Sequence, residues 1–210
     1  MKTKIVNLFH FNELDTATQA LIVNDNIDMF LSDFNFYADN LTNLFVKDLK
    51  RAGFYVEQGD INYSGFCNQG DGLSFTCNNI NTVDVLAYAE KHGYEKEVKN
   101  LKKLVLFDSV AKSVVFEIRR ISWRYAHKYT VNLCDNTEEG LLNTIHKADI
   151  ADKIFNIIEN VRMDLCDHFY GELEQKWEDI QSFEYVKWWF LECDDSLYFQ
   201  NGQQWVKLEY

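Results

Sequence analysis

The sequence has no proline among its 210 residues, whereas an average protein contains about 5%. Proline is one of the strongest markers of loops, so its absence leaves the predicted ends of helices and strands approximate. The sequence also lacks a run of about 18 apolar residues, so no transmembrane helix is predicted. Residues 1–10 carry two lysines and a short apolar run without a small-residue cleavage site, which does not fit a signal peptide. A cytoplasmic location is therefore expected.

The cysteines are few, odd in number and scattered, with no Cys-x-x-Cys pair. They are Cys67, Cys77, Cys134, Cys166 and Cys193. A disulfide framework needs an even, clustered set, and a structural zinc site needs closely spaced ligand pairs. The sequence therefore predicts buried, reduced thiols.

Familiar catalytic signatures are also missing, because the chain contains no Walker motif, HExxH, GxSxG or GxGxxG. Asp164 and His168 are four residues apart on a predicted helix and could share a face, but a single pair is little evidence for a metal. Cys166 and His168, two residues apart, should point in different directions. We predict no metal and no cofactor, and the sequence leaves open whether the protein is an enzyme.

Charge is plentiful but uneven. The chain has 33 acidic and 21 basic residues, a net charge of −12. Residues 96–128 contain nine basic and three acidic side chains, whereas residues 148–196 contain four basic and thirteen acidic ones. The acidic segment is either a solvated helix face or a surface that presents carboxylates to a basic partner. Its candidate interaction residues are Glu172, Glu174, Glu178 and Asp179.

The basic segment could meet phosphate groups. Its candidates are Lys96, Lys99, Lys102, Lys103, Arg119 and Arg120. Nucleic-acid-binding domains are usually basic, however, and this chain is acidic overall. The sequence therefore favours a protein partner over a nucleic acid.

Apolar residues make up 47% of the chain and aromatic residues 15%, which is enough for a substantial core. Helical periodicity predicts helices over about 12–22, 26–51, 83–107 with a break at Gly93, 137–146 and 149–180, and a last helix capped by Ser182. Alternating apolar residues predict strands at about 4–9, in two pairs over 61–77 and 114–133, and at the closing segment 197–206. The predicted fold is α+β: a single domain over residues 1–210, with helices packed on a mainly antiparallel sheet.

The best candidate site is the loop from Ser64 to Phe75. Its members with possible roles are Ser64, Gly65, Phe66, Gln69, Gly70, Asp71 and Gly72. Glycines allow close backbone approach, and such a loop can offer backbone N–H groups to an anion. The alternative is a structural hairpin, in which an Asp-Gly turn and buried phenylalanines fix the strand register.

A second cluster, Arg124, Tyr125 and His127, lies on a predicted strand, where Tyr125 and His127 would share a face. If that face meets the loop, these residues and Asp71 could perform acid–base chemistry or hold a polar ligand. The alternative is that His127 is a hydrogen-bonded structural residue.

Three segments carry a family resemblance. Residues 63–75 read YSGFCNQGDGLSF, residues 11–20 read FNELDTATQA, and residues 124–127 read RYAH. They resemble the SGFxSQGDGxxF signature, the opening motif and the RYxH element of a family of hypothetical tailed-phage and prophage proteins, and residues 170–202 fit its tail pattern. The chain departs from the family at Asn68 and Trp123, and segment 138–148 has no counterpart. The resemblance implies a phage gene; the family is sometimes labelled an antitoxin of a toxin–antitoxin system.

Two functional hypotheses follow. In the first, a phage-encoded acidic protein binds a host or phage protein and inhibits a host defence, as an anti-CRISPR protein does, or a nucleic-acid-processing system. In the second, a small enzyme or ligand-binding domain uses loop 64–75 together with Arg124 and His127. The sequence does not decide whether the loop and this cluster meet in space.

Overall fold

The computed structural model describes residues 6–66, 70–138 and 140–205. In these ranges the chain forms seven α-helices: α1 Thr16–Asp25, α2 Phe34–Arg51, α3 Thr82–Lys91, α4 Glu95–Lys102, α5 Phe107–Ser113, α6 Ile145–Ile180 and α7 Phe183–Glu192. It forms four strands: β1 Ile61–Ser64, β2 Gly72–Phe75, β3 Phe116–Arg120 and β4 Val131–Asp135. The predicted α+β class is confirmed. No helix in the described ranges has the length and apolar character needed to cross a membrane.

The contacts group the chain into two compact units, which we describe separately. The terminal unit contains residues 1–37 and 175–210, and the central unit contains Ala38–Glu174. The prediction that residues 1–210 form one domain stays a prediction.

Aromatic packing dominates the terminal unit. The rings of Phe11 and Phe190 stack with centroids 5.1 Å apart, and Phe30 meets the rings of Tyr185 and Trp189 edge-on. Helix α7 begins as predicted, because Ser182 accepts a hydrogen bond from the backbone N–H of Tyr185. The strands predicted at both ends of the chain are reduced to isolated bridges among the described residues, such as that between Phe9 and Tyr198.

The central unit holds all four strands, as two antiparallel pairs. Ile61 lies opposite Phe75 in the β1–β2 pair, and Ile118 lies opposite Leu133 in the β3–β4 pair. Cys77 connects the pairs by exchanging two backbone hydrogen bonds with Ile118, of 3.1 and 2.7 Å. The predicted antiparallel pairing is therefore present, in two small sheets joined by one bridge.

Some predicted boundaries are wrong, and local hydrogen bonds explain why. Helix α2 begins at Phe34 rather than near residue 26, since the side chain of Asn26 bonds to the carbonyl of Ile22 and ends α1. The strand predicted from Tyr125 begins only at Val131. A helix was predicted over 137–146, but residues 137, 138 and 140–144 are not helical. Glu139 lies outside the described residues. The start of this segment is instead bonded to the residue before β3: the N–H of Asn136 donates to the Val115 carbonyl, and the Thr137 hydroxyl accepts from the N–H of Val115.

The end of α2 is closed by Gly53. Its φ of +92° is unfavourable for other residues, and the N–H groups of Gly53 and Phe54 bond back to the carbonyls of Lys50 and Leu49. A Cβ at this position would lie 2.8 Å from the backbone of Asn81 and of Val85. Glycine is therefore required both by the backbone conformation and by the packing of α2 against the start of α3.

Arg162 is the largest fully buried side chain of the central unit, with 1% of its surface exposed. From α6 its guanidinium donates to both carboxylate oxygens of Glu159 and, over 3.0 Å, to the backbone carbonyl of Lys128. Burial lowers the pKa of Arg162, but the bonded Glu159 carboxylate more than offsets this, so the pKa is raised above its ordinary value. A charged guanidinium thus holds the segment before β4 onto α6.

We predict that Arg162→Met destabilises the protein by about 2–4 kcal/mol, because it leaves a half-buried carboxylate and a backbone carbonyl without their donor. The matched control is Arg51→Met. Arg51 also pairs with an acid three residues earlier, Asp48, but its side chain is 77% exposed, so its loss should cost about 0.5 kcal/mol or less. Urea unfolding of both variants tests the prediction, and equal losses would contradict it.

Candidate recognition site

The glycine loop, residues 64–75, and the connection between β3 and β4, residues 121–130, lie in direct contact. A Cβ on Gly70 would approach the ring of Tyr125 to 3.1 Å, and a Cβ on Gly72 would approach Cδ2 and Cα of His127 to 3.0 and 3.1 Å. The two predicted clusters therefore meet. They do so through close packing of glycines against side chains, which leaves little space for a ligand between them.

Contacts between residues of the loop, and contacts with Tyr170 of α6, fix the described part of the loop. The Asp71 carboxylate lies beside Gly65, where a Cβ would come within 2.5 Å of Oδ2. The hydroxyl of Tyr170 donates to the Gly65 carbonyl over 3.0 Å, and its ring stacks on Phe66. Ser64 Oγ is buried without a hydrogen-bond partner among the described residues. Gln69 lies outside the described residues, as do Cys67 and Asn68.

These contacts argue against the predicted binding of an anion in the described part of the loop. A bound anion at Gly65 would have to approach the Asp71 carboxylate, and like charges repel strongly at this distance. The hairpin interpretation is consistent with the geometry, because Ser64 pairs with Gly72 at the ends of β1 and β2.

His127 occupies a structural position at the start of a short 3-10 turn. Its Nδ1 accepts a hydrogen bond from the backbone N–H of Tyr129, and the two rings stack with centroids 4.8 Å apart. Its carbonyl accepts from both the N–H and the hydroxyl of Thr130. The prediction that Tyr125 and His127 lie in a strand is wrong, yet both side chains still face the glycine loop.

Arg120 secures the other end of the connection. Its guanidinium contacts Ser74 Oγ and the carbonyl of Ser122, each over 3.5 Å, and lies 5.0 Å from the centre of the Trp123 ring. Burial lowers the pKa of Arg120, although a guanidinium remains charged at neutral pH. The connection thus packs against β2, β3 and the glycine loop.

The outer surface of the connection carries large aromatic side chains in the open. Trp123 is 86% exposed and Tyr129 is 64% exposed, with Tyr125 exposed beside them. Each ring has a basic neighbour: Arg120 beside Trp123, Arg124 5.3 Å from the centre of Tyr125, and Lys128 5.6 Å from that of Tyr129. We call Trp123, Arg124, Tyr125 and Tyr129 the recognition face.

The sequence around the recognition face is basic in an acidic protein, although Arg119 pairs with Glu117 and Lys128 pairs with Asp167. From Ile118 to Cys134 the sequence has four lysines and arginines and no aspartate or glutamate. Sequence reasoning identified Arg124 and Tyr125 but missed Trp123 and Tyr129. The signal that could have found them is the alternation of aromatic and basic residues within this acid-free stretch.

The other predicted candidates do not gather at this site. Glu172 and Glu174 belong to the central unit, whereas Glu178 and Asp179 belong to the terminal unit. In the basic segment, Lys99 pairs with Glu95 and Lys102 with Glu90, so much of the charge of α4 is balanced locally.

The two buried thiols, Cys77 and Cys166, show no sign of activation. Burial raises the pKa of Cys77 to about 11 and that of Cys166 to about 12. The prediction of buried thiols is correct for these two, whereas Cys134 is half-buried and Cys193 is exposed. Within the described ranges, no group of three or more His, Cys, Asp or Glu side chains is placed to hold a metal ion.

The fold and site thus define an α+β protein with exposed aromatic side chains on the connection between β3 and β4. Residues 37–182, more than half of the chain, match the model of a family described as a domain of unknown function, DUF8835, and the chain belongs to that family. The matched region includes the whole central unit and therefore both parts of the site. No curated protein and no solved structure matches the chain.

We predict that Gly72→Ala displaces His127, lowers stability by about 1–2 kcal/mol and shifts the NMR signals of the His127 ring, because the new methyl group overlaps backbone as well as ring atoms. Gly59→Ala is the control, since a Cβ there has nothing within 4 Å. Unchanged His127 signals in Gly72→Ala would show that the loop and the connection are not packed as described.

Proposed function

We propose that this protein binds a partner protein through the recognition face, and that it does so as a phage-encoded inhibitor of a host defence, such as an anti-CRISPR protein, or of a nucleic-acid-processing system. The phage origin is supported by the resemblance of segments 11–20, 63–75 and 124–127 to a phage family. The binding role is supported by the exposed side chains of the connection. The experiment below tests the binding role.

The observation that carries the binding proposal is the exposure of Trp123 beside Arg124 and Tyr125. Tryptophan, tyrosine and arginine are the residue types that contribute most binding energy at protein interfaces. A largely exposed tryptophan leaves much apolar surface in water, and a bound partner would bury that surface. The exposed Arg124 favours a partner whose contact surface is acidic, whereas Lys128 is already paired with Asp167.

The packing beneath the face supports the same proposal. Gly70 and Gly72 contact Tyr125 and His127, and Arg162 bonds to the carbonyl of Lys128. A loop held in this way loses less conformational entropy when it binds than a mobile loop would. The recognition face is thus preorganised by the loop that resembles the phage signature.

The enzyme hypothesis has less support. His127 Nδ1 already accepts a backbone hydrogen bond, and Asp71 lies against Gly65 on the loop. Neither arrangement presents an acid–base pair to a shared cavity. The glycine loop and His127 instead serve as the support of the recognition face.

We predict that Trp123→Ala weakens binding of the partner about 30-fold or more, corresponding to at least about 2 kcal/mol, while the melting temperature stays within about 2 °C. Trp188→Ala removes another exposed tryptophan, from α7, and should leave binding within about twofold. The partner is first captured from host-cell extract with the wild-type protein, with and without nuclease, and its affinity for each variant is then measured.

Three results would redirect the proposal. Loss of binding only in a variant with Glu172, Glu174, Glu178 and Asp179 reversed to lysine would place the interface on the acidic residues of α6. Capture that disappears after nuclease treatment, with affinity that falls steeply with salt, would indicate a nucleic-acid partner for the same aromatic and basic side chains. Capture that persists unchanged in Trp123→Ala would exclude the recognition face.

A further inference from the structure

The terminal unit contains a cavity of about 300 Å³. The end of α1 and the turn after it form one wall, the end of α7 forms another, and side chains from 194–204 form the third. The volume lies at the lower end of the range for ligand pockets, which is about 300–1,000 Å³. All lining residues belong to the terminal unit, whereas the recognition face belongs to the central unit.

The lining of this cavity carries two carboxylates, Asp25 and Asp194, and no basic side chain. Neither carboxylate forms an ion pair with a described residue. Lys176 and Lys187, the described lysines of the terminal unit, do not line the cavity. Residues 6–46 contain six acidic side chains and residues 188–205 contain three, and neither segment has a lysine or arginine. The two carboxylates are therefore not neutralised by their surroundings.

The backbone adds to the negative potential of the cavity. Helix α1 ends at Asp25 and α7 ends at Glu192, and residues in the last turn of each line the cavity. The C-terminal end of a helix carries a partial negative charge of about half an elementary charge. Neither last turn contains a basic residue to offset it. Two carboxylates and two helix ends thus favour a positively charged ligand.

The carboxylate of Asp194 is held in a fixed position. Its Oδ2 accepts a hydrogen bond from the Tyr198 hydroxyl over 2.5 Å, and its Oδ1 accepts from the backbone N–H of Ser196 over 3.2 Å. Tyr198 is 4% exposed, and its burial, followed by the bond to Asp194, raises its pKa above the ordinary value. The tyrosine therefore stays a neutral donor, and Asp194 keeps its charge.

The rest of the lining suits an aliphatic chain better than a metal ion. Ile22, Met29 and Trp189 offer apolar surface, and edge-on contacts with Phe30 and Phe190 fix the Trp189 ring. The face of a tryptophan also attracts an ammonium group within about 6 Å. A metal ion would need several oxygen ligands around one point, and no group of three or more ligating side chains is so placed in the described ranges.

We propose that this cavity binds a small aliphatic diamine. One ammonium group would meet Asp25 and the other Asp194, with the methylene chain against Ile22, Met29 and Trp189. Two positive charges match the two carboxylates, and each ammonium–carboxylate contact is a charge-assisted hydrogen bond. This interaction is independent of the recognition face, because it uses another unit of the chain and another ligand.

The test titrates 1,5-diaminopentane into the full-length protein by isothermal titration calorimetry, at a salt concentration where charges more than about 8 Å apart are largely screened. We expect one saturable site with a dissociation constant of about 1 mM or tighter. The comparison ligand 1-aminopentane has the same chain and one charge, and it should bind about tenfold more weakly because one carboxylate stays unpaired. Mg²⁺ has the charge without the chain and should not displace the diamine at equal concentration.

Neighbouring acids provide matched control variants. Asp25→Asn and Asp28→Asn each remove one charge three residues apart, and Asp194→Asn and Asp195→Asn do so at adjacent positions. Only Asp25 and Asp194 line the cavity. We expect these two substitutions to weaken binding at least about fivefold and the two controls to leave it within about twofold. The Asp25 side chain has no hydrogen bond among the described residues, so Asp25→Asn remains informative even if Asp194→Asn loosens the contact with Tyr198.

Several outcomes would overturn the proposal. Equal weakening by all four substitutions, or displacement of the diamine by Mg²⁺, would indicate general attraction of cations to an acidic surface. Equal binding of 1-aminopentane would show that a second charge is not recognised. No saturable heat and no rise in melting temperature at about 10 mM diamine would exclude the ligand. None of these results bears on the recognition face, whose test uses a different ligand and different variants.

Discussion

The buried guanidinium of Arg162 is the interaction on which the central unit depends. An unpaired charge in this position would cost several kcal/mol, and the structure avoids that cost by giving the group Glu159 on its own helix and the carbonyl of Lys128 on the connection. Because the carbonyl belongs to the segment that bears the recognition face, the position of that face is coupled to α6. A hydrophobic residue could fill the same space, but it could not fix the direction of the connection.

The surface around this core is organised by local charge. Residues 118–134 contain no acid and place aromatic rings beside arginine or lysine, although Lys128 pairs with Asp167. In α4, Lys99 and Lys102 are neutralised by Glu95 and Glu90. Aromatic residues that serve only the core would be buried, as Phe116 and Phe169 are. Trp123 and Tyr129 instead remain in water, where they contribute little to folding. Their exposure is the observation on which the proposed contact with a partner rests.

Much of the fold follows from features that act over a few residues. The Ser182 cap, the break at Gly93, the Gly53 helix end and the hairpin with Gly72 could all be predicted, because each depends on a side chain or backbone preference within one turn. The errors arose where other hydrogen bonds replaced the expected pattern, as at Asn26, whose side chain ends α1, and at Thr137, which bonds to Val115. The length of the connection between β3 and β4 was missed because its turn at His127 has no glycine or proline to mark it.

The sequence identified which residues lie together at the site, but not what their contact does. Gly70, Gly72, Tyr125 and His127 were identified from the sequence and do lie together, yet their contact is one of packing. Glycine in a loop has the same sequence signature whether it admits a ligand or a neighbouring ring. Only the three-dimensional contact separates the two, and here the neighbouring ring occupies the space.

Taken alone, the net charge of −12 argues against an anionic partner. A binding surface, however, is governed by the charges near it rather than by the net charge of the chain. At physiological ionic strength the screening length is about 8 Å, so a molecule at a given surface senses mainly the charges within that distance. Residues 118–134 contain no aspartate or glutamate, and Arg124 lies exposed among them. The sign of a contact there is therefore set by the few side chains within reach rather than by the charge of the whole chain.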